Sequence, residues 1–329
     1  MPELIKKVAK KFYNFWFAKE STLNVGIFRI VFGLFILNIL FLSYFHWEEY
    51  YGVHGIISLD KFIDDRGGWV LASFKSIFAL SNNPQFIWVI YGFGLIITLG
   101  FIIGLATPIM TILLYVLWVS LCNRNPAIID SKDVVIQMLL FYSCFAPLGN
   151  SLSVDNIFRG KSLRKSRNIT NYISPKQSVW SLRILQISII LIYIFSAVDK
   201  LHSDVAWREG SIMYYISLYD AWFRFTDVDL LHNYFLSIIA TYSALMLEFL
   251  FPILVWFKKT KYWMLGAMAL FHISIAIVMN EFVLQFSMIM LISYTLFLEP
   301  QKIEKLLLKS KETILIAKQQ RVTDNKVKL

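Results

Sequence analysis

Residues 25–45 read VGIFRIVFGLFILNILFLSYF, an apolar run interrupted by one charge, Arg29. A bilayer core about 30 Å thick needs about 20 mostly apolar residues, each adding about 1.5 Å of helix. This run meets that length. It follows a lysine-rich start but is longer than a signal-peptide core and has no small-residue cleavage site, so it reads as a retained membrane helix. Seven further apolar stretches follow at 86–104, 106–122, 134–149, 179–200, 234–257, 262–280 and 281–298. The composition agrees. The chain of 329 residues is 57% hydrophobic and 16% charged, whereas a soluble domain carries about 25% charged residues. With 14 Gly, 8 Pro and 2 Cys, collagen-like, disordered and disulfide-scaffold classes are excluded.

The expected fold is therefore an all-α polytopic membrane protein, a bundle of about eight transmembrane helices. Amphipathic interfacial helices are expected at its ends, over 6–20 and 301–320. The corresponding division is a cytoplasmic amphipathic segment 1–22, a transmembrane domain 23–298 and a basic cytoplasmic tail 299–329. Gly104 to Pro108 and Met279-Asn280-Glu281 read as tight helical hairpins.

Loop charge sets the orientation. If the N-terminus lies inside, 22 of the 32 Lys and Arg residues fall in cytoplasmic segments and 8 in external ones. That is the positive-inside distribution, and it places both termini in the cytoplasm of a multi-pass cell-membrane protein. It also accounts for the net charge of +10 without nucleic acid: the basic excess borders membrane spans, where it attracts anionic lipid. The group Arg159, Lys161, Arg164, Lys165 and Arg167 is read the same way. Asn168-Ile-Thr has the glycosylation form but falls on the cytoplasmic side. Cys122 and Cys144 lie too far apart along their helices for a disulfide. No Cys/His spacing calls for a metal, and neither a phosphate-binding glycine loop nor a nucleophile elbow is present.

Polar residues within the spans carry the functional signal, because ionisable groups there are costly and face a cavity or a partner. Arg29, Arg183 and Glu248 read as a buried ion-pair set, with Arg183 the expected partner of Glu248. His272 and Gln285 are the remaining intramembrane polar residues singled out; His272 reads first as a hydrogen-bonded packing residue and only second as a catalyst. A denser group ends the fifth stretch: Asp199, Lys200, His202 and Trp207. A lysine partly desolvated at the mouth of a bundle can lose its proton and act as a base. The alternative is an interfacial cap of snorkelling lysine and belt aromatics. Asp133, His202 and Asn280 are expected beside Lys200 in an external cavity.

The segment Tyr193-Ile-Phe-Ser-Ala-Val-Asp-Lys200-Leu, followed by Trp207-Arg-Glu-Gly-Ser-Ile-Met-Tyr-Tyr215, resembles the signature of the horizontally transferred transmembrane (HTTM) family. That family includes the membrane half of vitamin K-dependent gamma-glutamyl carboxylase. Phe28-Arg29-Ile-Val-Phe-Gly-Leu, Gly100-Phe-Ile-Ile-Gly104-Leu, Asn123-Arg124-Asn-Pro and Phe286-Ser287-Met288 resemble other parts of it, in order. By motif position, the resemblance implies that Lys200 is the base that deprotonates reduced vitamin K or another quinol. The carboxylase has a second lysine where this chain has Asp199, and a histidine near the position of Asp133. Three readings follow from the sequence: a quinol-linked membrane enzyme, a maturation or export factor for a secreted peptide or toxin, and a non-catalytic scaffold. The partners implied are the lipid bilayer and a lipid, quinone or secreted peptide.

Overall fold

A computed structural model describes residues 2–162, 175–226, 228 and 232–305. The chain starts with helix α1 (Pro2–Phe17) and a short strand, β1 (Lys19–Ser21). Helix α2 (Leu23–Ser43) continues through a 3-10 turn into α3 (Trp47–Tyr51). Two short helices, α4 (Leu59–Asp65) and α5 (Trp69–Lys75), precede the hairpin of α6 (Phe86–Ile103) and α7 (Thr107–Arg124). Helices α8 (Ser131–Ser143) and α9 (Val154–Ser162) follow, then β2 (Lys176–Ser178) and α10 (Trp180–Ser203). The remainder is α11 (Val205–Glu209), α12 (Ile212–Ser217), α13 (Tyr234–Leu254), α14 (Lys261–Val278) and α15 (Glu281–Ser293).

Among the described residues, six helices are long and apolar enough to cross a membrane: α2 with its continuation, α6, α7, α10, α13 and α14. Six of the eight expected stretches meet that length. The stretches at 134–149 and 281–298 form α8 and α15, each of 13 residues, which rise only about 20 Å. Proline explains the first shortfall: Pro147 disfavours helical backbone at the residue before it, and 144–149 turns instead of extending α8. In the second, α15 tightens into a 3-10 turn over Tyr294–Phe297. The core runs along α2, where Phe28, Phe32, Ile36 and Leu40 are buried with Phe101, Leu114, Leu139 and Met268. On the outside, Phe41, Phe93, Ile96, Leu270 and Ile277 are exposed, as expected of a lipid-facing surface.

The end of the bundle where α2 begins, called proximal below, is held by polar contacts. Strands β1 and β2 pair antiparallel, with Glu20 opposite Gln177. Arg29 is fully buried and donates to Leu148 O at 2.8 Å and to Leu152 O. It therefore pins the turn after α8 and forms no ion pair with Glu248. Gly104 ends α6 at φ +71°, and a Cβ there would lie 2.5 Å from Arg29 Nη1. Asp155 accepts from Ala106 N, Thr107 N and Thr107 Oγ1 at 2.7–2.8 Å, capping α7 from another helix. The expected hairpin at Gly104–Pro108 is thus present.

α1 presents Leu4, Ile5, Val8 and Phe12 outward and is tethered by its last turn, where the Phe15 ring meets Trp256 at 5.3 Å. Of the expected C-terminal helix, 301–305 is helical; the rest of 301–320, the tail 306–329, Asn168, Arg164, Lys165 and Arg167 lie outside the described residues.

Candidate functional site

The site is built on one face of α10. Tyr193, Ser196 and Lys200 are spaced by three and four residues, so they stack along one side of the helix. Lys200 Nζ donates to Ser196 Oγ at 2.9 Å and forms an ion pair with Glu248 Oε1 of α13. The Trp207 ring lies 5.0 Å from Nζ, within cation–π range. The Glu248 side chain is 5% exposed and that of Lys200 21%. The second carboxylate oxygen, Glu248 Oε2, is buried with no hydrogen-bond partner among the described residues.

The local chain path explains how this pair forms. Asp204 accepts from Ala206 N at 2.8 Å and starts α11; Gly210, at φ +81°, ends it. That turn folds α11 and α12 back onto α13, where Tyr242 Oη donates to Arg208 O at 2.8 Å. Met213 N also donates, to Thr241 Oγ1 at 3.4 Å. Because residues 208–213 sit beside 241–242, α13 extends beyond the end of α10, and Glu248 comes level with Lys200. This corrects the expected pairing with Arg183. Arg183 is at the proximal end, where it donates to Gln186 Oε1 at 2.8 Å, pairs with Glu20 at 3.4 Å and stacks on Phe15.

Deeper in the bundle, Tyr193 Oη contacts both His272 Nε2, at 2.8 Å, and Tyr294 Oη. His272 Nδ1 lies 3.4 Å from Ser287 Oγ. Phe251, one turn past Glu248 on α13, packs its ring on Tyr193 at 4.8 Å. Buried polar groups are stable only when partnered, and His272 has both ring nitrogens engaged.

The other expected members are not gathered around Lys200. Asp199 is exposed. His202 is exposed and turns its ring nitrogen to Val198 O. Asn280 donates to Asp220 O at 2.6 Å and ties the 219–225 loop to the last hairpin. Asp133 closes a capping box with Asp130 at the start of α8 and pairs with Lys132. Burial pushes its carboxyl above the usual range, and Lys132 beside it only partly opposes the shift. Asp133 and Gln285 line a separate cleft of about 530 Å³. Tyr193, Ser196 and Tyr294 were not singled out from the sequence. The first two repeat at helical spacing before Lys200 and could have been; Tyr294 carries no such signal.

No curated protein and no solved structure matches the chain. Residues 17–301 match the HTTM domain, and this stretch contains all six of the long apolar helices, the Lys200–Glu248 pair and the polar group behind it. The chain is a membrane protein of the HTTM family.

Proposed function

We propose that this protein is a membrane enzyme in which the Lys200–Glu248 pair takes a proton from a weakly acidic, ring-bearing lipid substrate. The substrate class that the residues fit is a quinol, such as reduced vitamin K. In this reading both termini face the cytoplasm and α1 lies along the inner membrane surface. Lys200 then stands at the external end. The observation that carries the reading is the ion pair itself, an ammonium and a carboxylate joined inside an apolar bundle.

An isolated pair of charges in a low-dielectric site is held against a large desolvation cost. Passing the Nζ proton to Glu248 Oε1 removes both charges and leaves a neutral amine and a neutral carboxylic acid. The amine is then free to accept a proton from a substrate hydroxyl. As an ammonium again, it holds the negative charge left on that oxygen. Ser196 Oγ fixes the direction of Nζ, and the Trp207 ring covers it while leaving one edge open. That half-open edge beside an aromatic plane suits a flat phenolic ring. A bound quinol supplies the acidic hydroxyl and two reducing electrons.

The test uses the full chain in lipid nanodiscs with menadiol, following quinol loss in air against protein-free discs. The wild type is expected to exceed the protein-free rate. Lys200→Arg, which keeps the charge but has no accessible neutral form, is expected to fall to it, and Glu248→Gln to lose at least tenfold (about 1.4 kcal/mol in the barrier). Lys200→Arg turning over like the wild type would overturn the base assignment. A wild type no faster than empty discs would overturn the quinol.

A further inference from the structure

The cleft that holds Asp133 and Gln285 opens at the opposite end of the bundle from Arg29, between α2, α7 and the segment that leads into α8. Its volume, about 530 Å³, is that of a small-molecule site, which typically combines apolar walls with a few polar groups. Trp47, Tyr50, Tyr51 and Trp118 supply the walls. Tyr51 is nine-tenths buried (9% exposed), yet no hydrogen bond is formed by its hydroxyl among the described residues, and it lines the cleft.

The lining charge decides what the cleft can accept. Lys132 is held by both Asp130 and Asp133, and His46 by Glu49 at 3.0 Å. Among the described residues that line the cleft, no cation is left over to meet a phosphate or a carboxylate, and Arg124 behind Tyr51 is turned away onto Ile57 O and Gly52 O. Two carboxylates share one ammonium, so the lining is net negative, with aromatic faces around it. A negative lining with aromatic faces favours an organic cation, through charge and through the ring quadrupoles.

We infer that this cleft is a binding site for an amphiphile with a protonated amine head and an apolar body. The amine meets Asp133, its body lies against Trp118 and Tyr50, and Tyr51 Oη and the Gln285 amide complete the head contacts. The site shares no residue with the Lys200–Glu248 pair and stands whether or not that pair is catalytic.

Cys122 also lines the cleft, whereas Cys144 does not and its thiol donates to Leu140 O. The full chain carrying Cys144→Ser is reconstituted in nanodiscs, and the rate of Cys122 labelling by a methanethiosulfonate is measured. The probes are 4-phenylbutylamine, 4-phenylbutanol and 4-phenylbutanoate. The amine is expected to slow labelling at least tenfold at saturation, at a concentration at least tenfold below that of the alcohol; the carboxylate is expected to give no protection. Asp133→Asn is expected to abolish the advantage of amine over alcohol. Equal protection by amine and carboxylate would overturn the inference, as would an advantage that survives in Asp133→Asn. If Cys122 labels too slowly, Ile128→Cys reports on the same wall. A lack of labelling at both positions means the cleft is closed to solutes, which also overturns it.

Discussion

Lys200 and Glu248 each stand on an apolar helix, where a lone charge costs several kcal/mol even on lenient scales. Their contact resolves two such costs at once, which makes each side chain dependent on the other. Substituting Lys200→Met should strand the 5% exposed Glu248 and lower stability by about 3–5 kcal/mol; chemical denaturation in a fixed detergent reads this directly. Arg183 tells the opposite story. It stacks on Phe15 and pairs with Glu20 at the proximal end, so Arg183→Met should leave the Lys200–Glu248 contact intact. The sequence shows how deep a residue lies along its own helix, but not how far one helix is displaced against the next. Depth alone matches Glu248 with Arg183. The turn at Gly210 and the contacts of Tyr242 and Thr241 reset that register, and nothing in the spacing of residues 204–242 displays the offset.

At the scale of elements, the α6–α7 hairpin shows what a short motif can and cannot reveal. Gly104 and Pro108 mark the joint in the sequence: a glycine with positive φ ends one helix, and a proline in the first turn starts the next. The carboxylate that caps α7 is invisible there, because Asp155 comes from α9. Asp155→Ala should cost about 0.5–2 kcal/mol, the usual value of a lost N-cap. Burial alone would push the Asp155 carboxyl up. The hydrogen bonds from Thr107 and Ala106 outweigh burial and hold it below the ordinary carboxylate range. Its contribution is therefore full above about pH 4, the unfolded value, and disappears as pH falls through the lower folded value. The gap in stability between wild type and Asp155→Ala should be constant from pH 7 to 5 and should close on further acidification. Gly104→Ala should destabilise more than a surface change, since φ +71° and the Arg29 guanidinium at 2.5 Å both oppose a Cβ.

For the whole molecule, the class of fold was plain from apolar run length, and six of the eight runs became helices long and apolar enough to cross a membrane. The two that fell short lie next to proline-containing or 3-10 segments, where hydropathy continues after the helix has stopped. Hydropathy measures transfer to lipid, not backbone geometry, so it cannot see such an ending. The 22-to-8 division of basic residues leads to a further prediction. In intact cells, a cysteine placed at Lys258 should resist an impermeant maleimide, while one placed at Lys61 should react. The reverse pattern would invert the proposed orientation and move Lys200 to the inner face. The Lys200 site itself was legible as a residue but not as an arrangement: its motif is contiguous, whereas Glu248, Tyr294 and His272 reach it from three other parts of the chain.

The central claim, that Lys200 and Glu248 act as one unit inside the bundle, is tested most directly by a double-mutant cycle on stability. The four proteins are wild type, Lys200→Met, Glu248→Leu and the pair together, each unfolded in the same detergent. Replacing both members of a buried pair with apolar residues is often neutral, whereas removing one is not. The account predicts two strongly destabilised single variants and a double variant within about 1 kcal/mol of the wild type, with a coupling of about 5 kcal/mol or more. Additive losses in the double variant would mean that the two side chains do not interact, and would contradict the account.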